Sequence, residues 1–260
     1  MSSLHITIIQ SALHWENKNA NLNSFEEKIN SINGKNEIVV LPEMFSTGFT
    51  MQPELFAETM DGETTQWMKR KAKEKKIILT GSIIIKEDEN YYNRLLWVLP
   101  NGIIYHYDKR HLFAYAGENK HYKAGNNRII ISINDWKINP LICYDLRFPV
   151  WSRRSEQNQY DLLIYVANWP ERRNHAWKTL LQARAIENQS YVIGVNRVGN
   201  DGNEIYHSGD SSIIDPMGQM LYTKVDEEDI FSIVLEKEKL NEIRSRFPFE
   251  KDGDEFKIEV

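Results

Sequence analysis

Short, strongly apolar runs alternate along the chain with longer segments whose apolar residues recur three and four positions apart, the patterns of buried strands and of amphipathic helices. Leu4–Gln10 reads as a first strand. Asn17–Ile32, with Leu22, Phe25 and Ile29 on one side, reads as the helix after it. Glu37–Leu41 carries an unbroken apolar run, as a strand buried on both faces does, and it stops at Pro42, which leaves Glu43 at its tip. The loop Met44–Met51 follows, then a helix over Glu63–Lys75 with Trp67 and Met68 on its apolar side, and a buried strand over Lys76–Ile85.

Hairpins then join the pattern. Tyr92–Leu99 and Ile103–Tyr107 flank Pro100-Asn101-Gly102, which supplies the residues of a tight reversal, and Arg128–Ile133 pairs with Trp136–Ile142 across Asn134-Asp135. Between them, Arg110–Asn127 is a long loop of aromatics, histidines and glycines, the kind that carries function or covers a site. Next come an expected helix over Phe148–Gln157, a strand over Asp161–Ala167, a helix over Asn174–Asn188 and a strand over Tyr191–Asn196. A hairpin of Gly209–Asp215 and Gln219–Tyr222, a β segment near Ile230–Leu235 and a polar helix over Glu236–Arg246 complete the body. The tail from Phe247 lacks a core pattern of its own and is expected to drape over the body or reach a neighbouring subunit. The fold class is α/β: a sandwich of two sheets that are not purely parallel, flanked by helices.

Composition narrows the function. The chain has 260 residues and 41% hydrophobic content, enough for one domain over residues 1–260, with 247–260 as its tail. A net charge of −5 argues against nucleic acid as a partner and leaves small molecules or proteins. One cysteine excludes an intrachain disulfide and a thiolate-rich zinc site, and a reducing, cytoplasmic setting fits. No apolar run approaches the roughly 18 residues of a membrane span, and no basic leader precedes an apolar stretch.

That cysteine, Cys143, lies where the apolar run Pro140-Leu141-Ile142 meets the charged turn Tyr144-Asp145-Leu146-Arg147. By itself a free cysteine is most often a small buried hydrophobe. At a strand-to-helix junction, however, the N–H groups and dipole of the following helix favour a thiolate that a substrate can reach. Glu43 and Lys109 share its position type, each just past the end of a strand, where layered α/β folds bring catalytic groups into one crevice.

LPE with Glu43, DKRHLF with Lys109 and ICYDLRFP with Cys143, in that order, resemble the Glu–Lys–Cys triad of the nitrilase, or carbon–nitrogen hydrolase, superfamily. WKTLLQARAIENQ from Trp177 to Gln189 and GDSSIIDPMG from Gly209 to Gly218 extend the resemblance over Leu4–Leu235. It implies a four-layer α-β-β-α sandwich, a homodimer or larger homo-oligomer, and chemistry with no metal or cofactor. Glu43 is implied as general base, Lys109 as oxyanion stabiliser with the backbone N–H of Tyr144, and Cys143 as the nucleophile that forms a thioester. The ordinary alternatives are an exposed loop glutamate and a solvated lysine. Glu118, in AGENKHY, matches a second glutamate that positions substrate and water, or is simply a charged loop residue. Arg147 either binds a substrate carboxylate or, the favoured reading, pairs with a neighbouring acid to hold the turn. Phe113 and Trp169 line a pocket or pack in the core.

The KRHLF, AGENKHYKAG and CYDLRFPVWSR segments look most like the omega-amidase branch, which releases ammonia from the side-chain amide of 2-oxo acids such as 2-oxoglutaramate and 2-oxosuccinamate. Arg110 departs from many relatives, which carry another residue between the lysine and the histidine. A small anionic substrate requires a cation, for which Arg110, Lys120, Lys123, Arg147, Arg172 and Arg173 are all candidates. The alternatives are hydrolysis of a nitrile, an N-carbamoyl group or the amide of deaminated glutathione, and a non-catalytic protein using Cys143 as a reversible thiol sensor.

Overall fold

Burial on both faces accounts for the unbroken apolar strands. In the computed structural model, which describes residues 2–259, Met1 and Val260, the two ends of the expected domain, lie outside the described residues. β1 (Ser3–Gln10), β2 (Ile38–Val40), β3 (Ile78–Glu87), β4 (Asn90–Val98) and β5 (Ile104–Asp108) join the last strand, β13 (Asp229–Glu236), in one sheet of order β13-β1-β2-β3-β4-β5. β6 (Ile131–Ile133), β7 (Trp136–Ile142), β8 (Leu162–Ala167), β9 (Tyr191–Asn196), β10 (Val198–Asn200) and β11 (Tyr206–Ile214) form a second, of order β10-β11-β9-β8-β7-β6, with β12 (Met220–Val225) also paired to β11. β1, β2 and β3 run parallel, as do β7, β8 and β9, while the outer pairs are antiparallel, so both sheets are mixed.

Alternation along single strands sorts side chains between layers. Ile6, Ile8, Ile38 and Val40 meet Leu141, Leu163 and Val192 of the other sheet in a shared core. Ile9, Val39 and Leu41 point the other way, onto Leu22, Phe25 and Ile29 of the helix Lys18–Ser31 and Trp67, Met68 and Ala72 of the helix Glu63–Lys75. The helix Asn174–Asn188 covers the outer face of the second sheet so closely that a Cβ at Gly194 would lie 2.5 Å from Leu181 and 2.6 Å from Trp177. The result is the expected four-layer α-β-β-α sandwich. Among the described residues no helix is long and apolar enough to cross a membrane.

Three expectations about local structure change. The helix expected over Phe148–Gln157 is a single turn, Pro149–Ser152. After Trp151 the chain reads SRRSEQNQ, with no apolar residue to form a helix face, and the Arg154 N–H instead donates to Asn188 Oδ1 at 2.8 Å. The loop 110–127 folds into a 3₁₀ turn, Ala114–Ala116, and one helical turn, Glu118–His121. It is tied down by Tyr122 Oη to Thr50 O at 2.7 Å, Lys123 N to Tyr91 O at 2.8 Å and Gly125 N to Lys109 O at 3.0 Å. β10 and the helical turn Pro53–Phe56 were not expected at all. The tail does drape over the body, where Glu250 accepts hydrogen bonds from Arg154 and Gln159.

His207, on β11 and only 2% exposed, is a buried imidazole donating through Nδ1 to Ile205 O at 2.9 Å. Burial first, and then the charge of Arg197, depress its pKa from 6.5 to about 4. Because the unfolded chain binds this proton more readily, the contribution of neutral His207 to stability is whole above pH 6.5 and lost as pH falls toward 4. Its loss amounts to at most about 3 kcal/mol. Urea titrations of the wild type and His207→Gln between pH 7 and pH 4 should show the wild type losing stability more steeply. Equal slopes would remove His207 from the acid sensitivity.

Candidate active site

The ends of β2 and β5 in the first sheet and of β7 and β8 in the second come together, and each is followed by one polar group of the site. Glu43, Lys109, Cys143 and Asn168 follow these strands by a few residues at most. All four are buried, Glu43 at 0% and Lys109 at 1% exposure, so neither the exposed loop glutamate nor the solvated lysine describes them. Glu118 is buried to the same degree and is therefore not an ordinary charged loop residue.

Lys109 holds the carboxylates together. Its Nζ lies 2.8 Å from Glu43 Oε1 and 3.0 Å from each oxygen of Glu118, so the ammonium donates to both carboxylates. Burial lowers its pKa, but the charges of Glu118 and Glu43 outweigh this and raise it. Glu118, in turn, is raised by burial and by Glu43, against the pull of Lys109. Asn93 on β4 donates to both acids, at 2.7 Å to Glu43 and 3.3 Å to Glu118. The second oxygen of Glu43 accepts the Asn168 N–H at 2.8 Å, and the Asn168 side chain donates to the Glu43 carbonyl at 2.5 Å.

Cys143 stands at the first residue of a 3₁₀ helix, Cys143–Arg147, with φ of +43°. That left-handed conformation is strained for a residue with a side chain and persists only where its surroundings enforce it. A helix this short has little dipole, and the expected thiolate is not favoured. Burial and the nearby charge of Glu43 push the thiol pKa well up, against the smaller opposing effects of Lys109 and the Asn168 N–H. The thiol therefore keeps its proton until a base removes it.

Phe49, Phe113, Tyr144, Arg147, Trp169 and Arg173 complete a narrow pocket over Cys143 and Lys109. Phe113 lies edge-on to Tyr144 at 5.0 Å, and its backbone N–H donates to Glu118 at 2.5 Å, which ties the pocket wall to the buried acid. Trp169 is both wall and core: it is 3% exposed and is held by Asn196 Oδ1 at 2.8 Å. Arg147 does not hold the turn by pairing with an acid. The acid of that turn, Asp145, is taken up by Tyr107, His111 and the Ile142 N–H, while the Arg147 guanidinium lies 5.0 Å over the Trp169 ring. Arg173 lies 5.0 Å over Phe113. Among the described residues neither arginine has a carboxylate partner, and both line the pocket. The other candidate cations do not line it: Arg110 donates to Gly125 O at 3.2 Å, and Lys120, Lys123 and Arg172 are exposed.

Sequence reasoning missed Asn93, Asn168, Asp145 and Phe49. Asn168 had a usable signal, because it follows β8 as Cys143 follows β7. Asn93 had another, an amide at the start of the buried stretch of its strand, next to the buried Arg94.

A family model described as carbon–nitrogen hydrolase matches residues 5–240. The chain is 44% identical to a protein of Escherichia coli K12 named omega-amidase YafV, with 99% of this chain and 100% of that protein covered. It is 34% identical to a 2-oxoglutaramate amidase of Bacillus subtilis, covering 94% and 95% of the two. The crystal structure of XC1258 from Xanthomonas campestris, described as a CN-hydrolase superfamily protein with an arsenic adduct in the active site, superposes with a TM-score of 0.97. The two are 39% identical, over the whole of both chains.

Proposed function

The chain belongs to the carbon–nitrogen hydrolase family, and we propose that it is an omega-amidase, releasing ammonia from the side-chain amide of a 2-oxo dicarboxylic monoamide such as 2-oxoglutaramate or 2-oxosuccinamate. The observation that carries this reading is the buried Glu43–Lys109–Glu118 array beside Cys143, under a pocket with two arginines that have no acid partner among the described residues. The array supplies amide hydrolysis, and the arginines supply a seat for an anion. The likeness to the Escherichia coli and Bacillus subtilis amidases supports the same substrate class.

In the proposed reaction Glu43 takes the thiol proton as Cys143 Sγ bonds to the amide carbon, and the carbonyl π pair moves onto oxygen. Once protonated, Glu43 no longer holds Lys109 as a charged partner, so the ammonium is freed toward the oxyanion at the moment that charge develops. The backbone N–H of Tyr144 shares that task. Glu43 then returns the proton to the leaving nitrogen, ammonia departs and a thioester remains. Water attacks the thioester, with Glu43 accepting its proton and Glu118 fixing the water and Lys109. The acid is released and the thiol restored. No step calls for a metal or cofactor.

Ammonia release should be at least about tenfold faster, as kcat/KM, from 2-oxoglutaramate or 2-oxosuccinamate than from nitriles, N-carbamoyl amino acids or deaminated glutathione. A preference for any of the latter would replace the substrate assignment, and oxidation of Cys143 without turnover of any amide would favour a thiol sensor. A cytoplasmic homodimer or larger homo-oligomer belongs to the same proposal. The assembly is supported by the exposure of Ile186 at 52%, on the outer helix, and Met217 at 50%, apolar side chains open to a partner, and sedimentation as a monomer would remove it.

A further inference from the structure

We propose that Asp145 is a positioning residue that ties the tip of β7 to the tip of β5 and so sets the placement of Cys143 against Lys109. The proposal rests on the thiol-hydrolase reading above.

Asp145 is fully buried, and each of its oxygens has two partners. Oδ2 accepts the Ile142 N–H at 3.0 Å and the Tyr107 O–H at 2.8 Å. Oδ1 accepts the His111 N–H at 3.0 Å and lies 2.8 Å from His111 Nδ1, which donates when that nitrogen carries the proton. Ile142 immediately precedes the nucleophile. Tyr107 and His111 stand two residues before and two residues after Lys109. One carboxylate therefore grips the strained turn at Cys143 and both flanks of Lys109 at once.

The two strands it connects belong to different sheets, β5 to the first and β7 to the second, so no ladder of backbone hydrogen bonds fixes their spacing. Lys109 Nζ is bound to Glu43 and Glu118, neither of which belongs to the turn that carries Cys143. Tyr107 is itself fixed, since its oxygen accepts Trp151 Nε1 at 2.9 Å and the Arg110 N–H at 3.3 Å while its proton goes to Asp145. His111 is fixed by stacking on Phe148, with ring centroids 3.8 Å apart. Asp145 is thus a buried joint that, beside the Tyr107–Trp151 hydrogen bond and the His111–Phe148 stack, holds together two strands that no backbone ladder connects. Misplacing a reacting group by about 1 Å costs on the order of a hundredfold in rate.

The test uses the whole enzyme and two readouts. In Asp145→Asn the amide nitrogen must face donors on one side, so either the Ile142 and Tyr107 pair or the His111 pair loses its acceptor. The expected result is a fall in kcat of about 10- to 100-fold with KM within about twofold. The rate constant for alkylation of Cys143 by acrylamide, followed by intact mass, should fall alongside it. Tyr107→Phe, which keeps its ring and removes one bond to Asp145, should show a smaller fall of the same kind and serves if Asp145→Asn does not fold. His111→Asn keeps a donor near the place of Nδ1 and should recover most of the kcat lost in His111→Phe, which keeps the stacking alone. Activity counted per alkylatable thiol separates placement from folding, because a merely structural role would lower the melting temperature and leave that ratio unmoved. Unchanged alkylation and unchanged kcat per thiol in Asp145→Asn and Tyr107→Phe would overturn the proposal. A wild-type enzyme that alkylates normally yet releases no ammonia would instead remove the amidase reading and leave the alkylation comparison to decide the role of Asp145.

Discussion

Replacing Glu43 with glutamine is expected to lower kcat on the amide substrate by about 10²- to 10⁴-fold, the range over which a positioned general base acts. The expectation follows from the state of the thiol. Burial and the Glu43 charge hold Cys143 protonated well above neutral pH, so attack on the amide requires transfer of that proton to a nearby acceptor. Glutamine keeps the size of the side chain and one oxygen for the contacts with Asn93, Lys109 or the Asn168 N–H, but it cannot take a proton. Lys109 would retain Glu118 as a partner, so the ammonium stays charged and the pocket stays shaped. The loss should therefore appear in kcat, with KM changed little, and the melting temperature should stay within a few degrees of the wild type. A Glu43→Gln protein that keeps full amidase activity would show that another group takes the thiol proton.

The legible and illegible parts of this site divide along a physical line. Glu43 and Cys143 could be found because each follows an apolar run and Lys109 because it follows the β-prone run IIYHYD, which mark strand tips without any knowledge of tertiary structure. The resemblance of LPE, DKRHLF and ICYDLRFP to a known triad set these three apart from other polar residues so placed. The sheets were legible for the same reason: EIVVL must be buried on both faces, and the structure puts Ile38 and Val40 on one core and Val39 on the other. What pairs with what was not legible. Arg147 near Asp145 in sequence suggested a local ion pair, yet Asp145 is taken by Tyr107 and His111, more than thirty residues earlier in the chain. Distance along the chain says nothing about competition from remote donors, and here two backbone N–H groups, a phenol and an imidazole displaced the guanidinium. The helix assigned to Phe148–Gln157 failed differently. A proline at its second position suits a helix start, but without apolar residues at helical spacing there was nothing to hold later turns against the body. The direction of the thiol pKa was also hidden, since it depends on burial and on a carboxylate from another strand.

Without that pairing Arg147 lies over Trp169 at the pocket, and the second large effect is expected there. Arg147→Gln and Arg173→Gln should each lower kcat/KM for 2-oxoglutaramate by about 10- to 100-fold, the worth of one charge-assisted hydrogen bond to a carboxylate. The fall should lie mainly in KM, because the contact with a distant carboxylate persists unchanged from bound substrate to transition state. Arg173 should show the larger effect. It is half-buried, where Arg147 is exposed, and its pKa is lowered by burial and by Arg172, so its charge is the less screened and gains the more from an anion. The same pair predicts discrimination at the second carbon. A 2-oxo acid presents only oxygen acceptors to the two guanidinium groups, whereas glutamine or asparagine would bring an ammonium against them. The wild type should therefore reject the amino-acid amides, and the ratio of 2-oxoglutaramate to glutamine turnover should shrink in Arg173→Gln. A neutral aliphatic amide, which gives the arginines nothing to hold, should lose much less activity in either variant. Should Arg173→Gln leave KM for 2-oxoglutaramate within about twofold of the wild type, the carboxylate is not seated at this wall, and Phe113 and Trp169 would be holding the two guanidinium groups for their own packing.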